Sequence, residues 1–470
     1  MTKKTSVDFT KGSLSKHVRV MSFTASIGIL AIYVVDLMDL LFISMLGDKE
    51  LAAAAGMAGT LLFFVSTINI GLSIATGTLV GRALGKGDAQ QAREMTGTAI
   101  MVSTVVGIVV PLLMIPNLYF LLGWIGATGE LADMAYSYII ILLPATFMSG
   151  ISMSLVTHLR ADGAARKAMY PSLCGALVNL VFDPILIFGL GMGLQGAAAA
   201  TVMARAATLA VALYPFRGEI REILFPGFQA MRKHIYEIGS YALYSAFASV
   251  AAPIGQAMMM RQFASFGHEA VAGISIIGRL APVVFAVINA LSGAIGPIMA
   301  QNYGANQMER VREAYRDAAK FLGLYVAAVA ILLFLLRSQI VSIFGATGQA
   351  QELIYLYCSP FAIIAFLNGL IAISNGALNS LGQPTYVMGF SWVKNTVGLW
   401  PFLVVGSYLY GLWGLAFGLL LHTAVFAYIS VRLAKSVYLK KVASALPEDD
   451  FAPDQAQAHS MMVREGAMQM

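Results

Sequence analysis

Charged side chains are scarce in this sequence. Asp, Glu, Lys and Arg together make up 11% of its 470 residues, whereas soluble domains carry roughly 25%. Hydrophobic residues make up 58% of the chain. So few charges cannot cover a water-facing surface. The composition therefore excludes an ordinary soluble domain and predicts an integral membrane protein.

Cysteines and catalytic motifs are also nearly absent. The two cysteines, Cys174 and Cys358, both fall in apolar stretches, which favours neither a disulfide nor a metal site. No His-Glu-x-x-His, Gly-x-Ser-x-Gly or paired catalytic Asp motif occurs in an apolar stretch. We therefore expect neither an enzyme nor a cofactor.

Twelve apolar stretches are long enough to cross a bilayer, which takes about 20 helical residues. They are too long for strands and lack the alternation of a membrane barrel. The predicted fold is an all-α membrane protein with twelve transmembrane helices. The approximate bounds of these spans are 20–46, 52–80, 95–122, 132–157, 168–190, 194–215, 235–262, 270–300, 317–343, 353–377, 386–410 and 412–436.

The basic residues fall mainly on one side of these spans. The N-terminal segment, alternate connections and the C-terminal segment carry 24 of the 30 Lys and Arg residues. The opposite connections 117–131 and 189–196 carry none. By the positive-inside rule, both termini are expected in the cytoplasm, at the plasma (inner) membrane of a prokaryote. The net charge of +6 follows from this bias and does not indicate nucleic-acid binding.

The chain contains two copies of one plan. Residues 125–129 return in nearly the same sequence at 344–348, and Gly163 returns as Gly382. Repeated halves in an apolar chain are typical of secondary transporters. Each half has six spans and starts from the same side. We therefore expect two six-helix lobes related by a pseudo-two-fold axis along the membrane normal.

The composition also divides the chain into domains, and we expect the protein to act as a monomer. The expected domains are a cytoplasmic arm (1–18), an N-lobe with spans one to six (19–215), a cytoplasmic linker (216–234), a C-lobe with spans seven to twelve (235–438) and a cytoplasmic tail (439–470) whose polar composition predicts disorder.

The two halves differ in their acidic residues. Asp36, Asp39 and Asp183 lie inside spans of the first half, whereas no Asp or Glu lies well inside a span of the second. At 1.5 Å per residue, Asp39 and Asp183 each lie about 12 Å from the outer surface. An intramembrane charge costs about 2.5–3.5 kcal/mol and marks function. With Asn179 and Thr201 at similar depths, these residues predict a site that couples transport to a cation.

The chemistry of these residues leaves two coupling ions open. Oxygen atoms from Asp, Asn and Thr suit Na⁺. Close, buried carboxylates equally suit H⁺, because they cannot all ionise cheaply in a low dielectric. Arg205, one turn deeper than Thr201, is a candidate ion-pair partner for Asp36, which would then be structural. Pro184 follows Asp183, frees a backbone carbonyl and can bend the span.

Several short motifs resemble those of one transporter family when they are taken in order and spacing. Along the chain they are Asp39 with an apolar run to Gly47, Leu51-Ala52-Ala53, Gly77-Thr78-Leu79-Val80, Gly85-Lys86-Gly87-Asp88, Asn179 to Pro184, and Gly196-Ala197-Ala198. Over residues 20–436 this pattern resembles the multidrug and toxic compound extrusion (MATE) transporters.

This resemblance implies alternating access and export of drugs or organic cations, driven by entry of H⁺ or Na⁺. In the DinF-like branch of the family, the coupling site maps onto Asp39, Asn179, Asp183 and Thr201, where Na⁺ would bind. The norfloxacin-exporter branch adds acids in spans seven and ten. Here span seven has none and Asn368 stands near the expected span-ten acid, so we favour the DinF-like branch.

The substrate cavity is expected to be acidic in the first half and apolar, rich in Met and aromatic residues, in the second. In the repeat alignment Gln256 and Met259 stand opposite Asp36 and Asp39. Aromatic side chains could stack on cationic drugs, and basic ones either line the cavity or extend to an interface. The candidates are Tyr33, Phe63, Gln256, Met259, Arg279, Asn289, Asn368, Trp392 and Lys394.

Two other kinds of transporter deserve comparison. A lipid or lipid-linked glycan flippase of the same superfamily would need more basic residues in the cavity, and often more than twelve spans. It is therefore the alternative function. A major-facilitator transporter also has two six-helix lobes, but its basic signature between spans two and three is missing from 81–94.

Overall fold

The structure, a computed structural model, describes residues 7–46, 49–219, 223 and 226–444. Within these ranges every regular element is helical. The α-helices are α1 (Leu14–Ser44), α2 (Lys49–Gly85), α3 (Ala89–Met114), α4 (Leu118–Trp124), α5 (Glu130–Leu142), α6 (Thr146–Ala161), α7 (Ala165–Pro184), α8 (Gly193–Leu213), α9 (Phe228–Ala264), α10 (His268–Val284), α11 (Ala286–Gly304), α12 (Met308–Phe344), α13 (Gly348–Tyr357), α14 (Ile363–Ser380), α15 (Pro384–Asn395) and α16 (Leu399–Ser444).

Most predicted spans correspond to one helix, and two are bent pairs. The fourth span is α5 and α6, which meet at 49°, and the eighth is α10 and α11, which meet at 52°. Pro282 lies just before the second bend, where its missing N–H interrupts the helical hydrogen bonds. The corresponding stretch of α2 contains no proline and runs unbroken. One repeat is therefore bent where the other is straight.

The last apolar segment is a helical hairpin. Pro384–Ser444 holds 61 residues, far more than the roughly 20 that one span needs. Tyr410 and Gly411 have non-helical backbone angles, with φ of 58° at Gly411. The helical parts on either side then pack so closely that a side chain at Gly406 or Gly414 would collide with the opposite backbone. This turn separates spans eleven and twelve, and the prediction of twelve spans in two lobes is confirmed.

The backbone reproduces the sequence repeat. Left-handed residues, which favour glycine or asparagine, recur in both halves at turns in corresponding positions. The pairs are Gly87 and Asn306, Gly126 and Gly345, Gly129 and Gly348, Gly163 and Gly382, and Gly191 and Gly411. Each pair is separated by the offset of 219 or 220 residues that relates the repeats, so the two lobes share their turn geometry as well as their helix order.

The lobes meet where α2 crosses α11. A Cβ atom on Gly85 would collide with the backbone of Gln301, and one on Gly304 would collide with the backbone of Arg82. Gly85 and Gly304 are themselves equivalent positions in the repeat, as are Arg82 and Gln301. Each half thus presents the same surface to the other, as a two-fold axis requires. Only glycine allows the backbones to approach this closely.

The two equivalent polar residues at this crossing form hydrogen bonds with the opposite half in the same way. Arg82 donates hydrogen bonds from Nε and Nη2 to the carbonyl of Ser380 at 3.1 and 2.9 Å. Gln301 Nε2 donates to the carbonyl of Ala161 at 2.6 Å. Ser380 and Ala161 are equivalent ends of α14 and α6. Cationic and amide donors there satisfy carbonyls that a helix C-terminus leaves free.

The N-terminal arm reinforces this junction. Phe9 is 1% exposed; its N–H donates to Gln301 Oε1 at 2.9 Å, and its carbonyl accepts from Arg310 at 2.9 Å. Val7 packs so tightly on Gly163 that a Cβ there would meet its backbone. Part of the segment expected as a polar arm therefore packs against both lobes at the basic side.

The domain bounds differ slightly from those expected from the sequence. Helix α9 begins at Phe228, inside the segment 216–234 assigned to the linker, and α1 already begins at Leu14. Helix α16 continues to Ser444, into the segment 439–470 assigned to the tail. The predicted disorder of the tail falls mainly on residues 445–470, which lie outside the described part of the chain.

The opposite ends of the lobes are apart. Helix α11 packs along α2, whereas α10, the other half of the same span, makes no extensive contact with α2. Gly59 on α2 and Gly278 on α10 have open space where a Cβ would lie. The molecule is therefore closed at the side rich in Lys and Arg and open at the other.

The glycine crossing gives a stability prediction. Gly85→Ala should lower the melting temperature of the purified protein, because overpacking of this kind costs about 1–3 kcal/mol. Gly59→Ala in the same helix is the matched control and should leave the melting temperature unchanged or slightly higher, because alanine favours a helix. Equal melting temperatures for both variants would contradict the described crossing.

Candidate ion-coupling site

The polar residues predicted for coupling lie on neighbouring helices of the N-lobe. Asp39 lies in the last two turns of α1, and Asn179 and Asp183 are one turn apart on α7. Helices α1 and α7 pack along each other, and α7 packs on α8. Residues four apart share one face of a helix, so Asn179 and Asp183 both face α1.

One amide joins the two carboxyl groups. Asn179 Nδ2 donates to Asp39 Oδ1 at 2.8 Å and to Asp183 Oδ2 at 2.8 Å. Asn179 is 3% exposed and Asp183 is fully buried. Both hydrogens of a single NH₂ group are therefore used, and the amide fixes the carboxyl groups beside each other. We call Asp39 and Asp183 the acid pair.

The acid pair lacks the partners that two negative charges require. Asp183 Oδ1 is buried without a hydrogen-bond partner in the described structure, and the two carboxyl groups lie close enough to interact directly. One intramembrane carboxylate already costs about 2.5–3.5 kcal/mol on insertion scales. An amide supplies no charge. The pair therefore needs a proton or a cation to be stable.

The backbone next to Asp183 is irregular. Pro184 is the last residue of α7, and the five residues Ile185–Gly189 form a π-helical turn. A wider turn accommodates the hydrogen bond that proline cannot make. Gly196 on α8 lies directly against the backbone of Leu186 in this turn. The sequence led us to expect that Pro184 disturbs the span, and in the structure the chain changes there from an α-helix to a π-helical turn.

Asp36 and Arg205 do not form the ion pair proposed from the sequence. Asp36 is exposed on α1 and lies close enough to Asp39 to interact with it electrostatically. Arg205 Nη1 donates instead to the carbonyl of Leu142 at 3.0 Å; this carbonyl lies at the end of α5 and also accepts from the N–H of Ala145 at 3.2 Å. The hydroxyl of Thr201 donates to the carbonyl of Ala197 at 3.0 Å, so its oxygen lone pairs stay available as acceptors.

Sequence reasoning missed Tyr138. It lies on α5 and interacts electrostatically with Asp36, Asp39, Asp183 and Arg205. A phenol can donate a hydrogen bond without adding charge, which suits a site where charge is costly. The available signal was the repeated Tyr-x-Tyr motif, in which Tyr138 corresponds to Tyr357 in the second half.

Four predicted cavity residues surround one space in the C-lobe. A cavity of about 350 Å³ is lined by Gln256, Met259, Asn368 and Lys394, and we call it the C-lobe cavity. Most of its remaining lining is aliphatic or aromatic, as expected. It is not purely apolar, however, because Lys394 contributes a cation.

The other predicted cavity residues lie elsewhere. Tyr33 accepts a hydrogen bond from Asn289 Nδ2 at 3.1 Å, which links α1 to α11. Trp392 Nε1 donates to the carbonyl of Phe247 at 3.0 Å, so it fixes α15 to α9. Phe63 on α2 and Arg279 on α10 are exposed; both belong to helices whose facing ends are separated at the open side.

Comparison with known protein families identifies the family of this chain. The family model MatE matches residues 25–185 and 245–402, which together make up more than half of the chain. This chain belongs to the MatE family. The resemblance to MATE transporters inferred from its motifs is thereby confirmed, and the protein is a multi-pass membrane transporter.

The names of its relatives refer to different cargo. The chain is 27% identical over 407 residues to an FAD transporter of Shewanella oneidensis, covering 85% of this chain and 89% of the relative. It is 24% identical over 437 residues to the multidrug export protein MepA of Staphylococcus haemolyticus, covering 91% and 95%. Both names describe transport of small molecules, but they do not agree on the chemistry of the cargo.

A solved structure shares the fold. A MOP superfamily transporter from Pyrococcus furiosus, described as having a binding pocket of reverse polarity, matches with a TM-score of 0.85 at 21% identity. The match covers 93% of this chain and 98% of that one. It confirms the two-lobed fold.

The shared amide gives a prediction for the site. Asn179→Leu, which keeps a similar volume, should lower the free energy of unfolding by about 1–3 kcal/mol, because buried carboxyl oxygens lose their donor. Asn117→Leu is the control, since Asn117 is an exposed residue whose side chain donates to Leu113 at 3.0 Å. Denaturation of both purified variants measures the difference. Equal loss of stability would show that Asn179 does not hold the acid pair.

Proposed function

We propose that this member of the MatE family is a secondary active exporter that exchanges amphipathic organic compounds for H⁺ at the acid pair, as in the DinF-like branch. The observation that carries this proposal is the single amide of Asn179 shared by Asp39 and Asp183. The pair lies in one lobe, within the membrane, and its charge can be changed by one ion. A site of this kind is expected where an ion gradient drives transport.

Alternating access follows from the closed and open ends of the lobes. In the described state the cleft is open at the side opposite the basic residues. Protons from this open side therefore reach the acid pair first. Neutralising the pair removes a charge that disfavours tight packing of α1 on α7. Repacking near Pro184 then shifts the N-lobe and loosens the crossing of α2 and α11, which opens the basic side to cargo.

The orientation of Asn179 favours H⁺ over Na⁺. The amide nitrogen faces both carboxyl groups, and nitrogen donors do not coordinate a hard cation. Na⁺ between the carboxyl groups would require the amide to turn by half a rotation and present its oxygen. A proton requires no such change, since it can join the two facing carboxyl groups directly.

Membrane placement follows from the same polarity. We infer that the closed, basic side faces the cytoplasm, with both termini there, at the plasma membrane of a prokaryote. The protein is proposed to act as a monomer, because both lobes and the acid pair belong to one chain. Export is then outward and uses the inward proton gradient.

A flippase remains the second candidate, because one observation favours it. The space between the lobes carries the basic residues Arg160 and Lys394, and a phosphate-bearing lipid would need such cations. Twelve spans and a closed basic side fit an exporter as well as they fit a flippase. Cargo measurements therefore separate the two candidates.

The acid pair gives the first functional prediction. Asp39→Asn and Asp183→Asn should each abolish active dye export, because amides cannot exchange protons. Asp36→Asn should retain more export, since Asp36 is exposed and outside the shared amide. Asp133→Asn on the surface of α5, where Asp133 accepts from Tyr119 at 3.0 Å, is the control. Export per folded molecule is measured in vesicles, and export above half of wild type in both pair variants would contradict the assignment.

The coupling ion gives the second functional prediction. Inverted vesicles containing the wild-type protein should accumulate a fluorescent dye when only a pH gradient is imposed. A Na⁺ gradient alone should not drive accumulation, because Asn179 presents nitrogen to the pair. Vesicles with Asp39→Asn measure leakage. Accumulation driven by Na⁺ at equal pH on both sides would replace H⁺ by Na⁺ in the account.

A further inference from the structure

A second cavity lies between the lobes, separate from the acid pair. It has a volume of about 400 Å³ and is lined by residues of α2, α6, α9, α11, α14 and α15. We call it the interlobe cavity. It adjoins the C-lobe cavity at Asn368 and Lys394, which line both. The lining is more polar between the lobes and largely apolar within the C-lobe.

Two cations line the interlobe cavity, and no carboxylate in its described lining balances them. Arg160 at the end of α6 reaches across to α11, where its Nη1 lies 3.6 Å from the position of a Cβ on Gly293. Lys394 Nζ contacts Asn395 Oδ1 at the long distance of 3.4 Å. The described lining contains no Asp or Glu, and no acid interacts with either cation.

Unpaired neutral groups surround these cations. Ser245 Oγ, Asn375 Oδ1 and Asn379 Oδ1 are buried without hydrogen-bond partners in the described structure, and all three residues line the cavity. Buried polar groups without partners are rare in folded proteins. The hydroxyl of Ser245 can donate to an oxygen atom, whereas the two asparagine oxygens are acceptors that a hydroxyl or amide of a cargo can satisfy. The cavity thus combines two uncompensated cations with neutral polar groups.

We propose that this cavity binds the anionic group, a phosphate or carboxylate, of an amphipathic organic cargo. Arg160 supplies a planar guanidinium that can bind two oxygens at once, and Lys394 supplies a point charge at the boundary with the C-lobe cavity. The apolar body of the cargo then lies against Met259 and Phe263. This inference rests on the proposed export function and names its cargo class.

The cargo differs from the organic cations implied by the family resemblance. A cation would meet two like charges at close range without a carboxylate to offset them. The acid pair is not available to it, since it lies in the N-lobe and is held by Asn179. The proton site and the cargo site therefore carry opposite charge and occupy different places.

Flavin mononucleotide and riboflavin form a matched pair of probes, because they share one fluorescent ring system and differ by a phosphate. Binding is measured by fluorescence with the purified full-length protein in phosphatidylcholine nanodiscs, without any gradient. Flavin mononucleotide should bind about tenfold or more tightly than riboflavin, the effect of one charge-assisted hydrogen bond. Equal affinities for the wild-type protein would overturn the proposal.

Variants locate the effect. Arg160→Gln and Lys394→Gln should each weaken flavin mononucleotide about tenfold and leave riboflavin unchanged, whereas Arg160→Lys should retain part of the preference. Arg261→Gln is the control, since Arg261 is exposed near the outer end of α9 and lines neither cavity. A preference that survives both Gln substitutions would overturn the assignment to this cavity, even if the binding itself is real.

Two further measurements identify the source of the anionic group and separate this proposal from the coupling mechanism. Added phosphatidylglycerol that displaces flavin mononucleotide from wild type but not from Arg160→Gln would support the anion site and assign it to a lipid headgroup. No displacement supports a soluble cargo. Asp39→Asn should keep the phosphate preference, so a failure of coupling at the acid pair leaves this test unaffected.

Discussion

The close crossing of α2 and α11 is the constraint on which the rest of the structure depends. Gly85 and Gly304, equivalent residues of the two repeats, bring the helix backbones into contact, and Arg82 and Gln301 fasten the crossing to opposite helix ends. Because these contacts occupy the basic side, the lobes can separate only at the other side. Under the alternating access proposed above, this crossing has to open and would act as the gate of the transporter.

The repeats share this gate but have divided the chemistry between them. The N-lobe keeps the acid pair, joined by Asn179, whereas equivalent positions of the C-lobe carry no acid. The C-lobe has Lys394 where the alignment places Gly175. In the proposed mechanism, residues of opposite charge would bind the proton and the cargo, so that each site changes the electrostatic energy of the fold without competing for the same groups.

Much of this arrangement could be predicted from the sequence, because helix number and repeats depend on local patterns. The periodic spans, the 219-residue offset and the intramembrane acids all persist in the fold. The partners of polar side chains could not be predicted in the same way. Arg205 binds the carbonyl of Leu142 instead of Asp36, because which helix-end carbonyl a side chain can reach is visible only in three dimensions. From the sequence, Arg160 is expected in a basic connection between two spans, but in the structure it lines the interlobe cavity.

The central claim, that the charge of the acid pair controls the gate, is tested most directly by the distance across the gate. Spin labels at Lys86→Cys and Glu309→Cys, with Cys174 and Cys358 replaced by alanine, report this distance by double electron–electron resonance. The account predicts that lowering the pH adds a longer-distance population in wild type. A variant with Asp39→Asn and Asp183→Asn should show that population at every pH. A pH-independent distance in wild type, or a pH response that persists in the double variant, would contradict it.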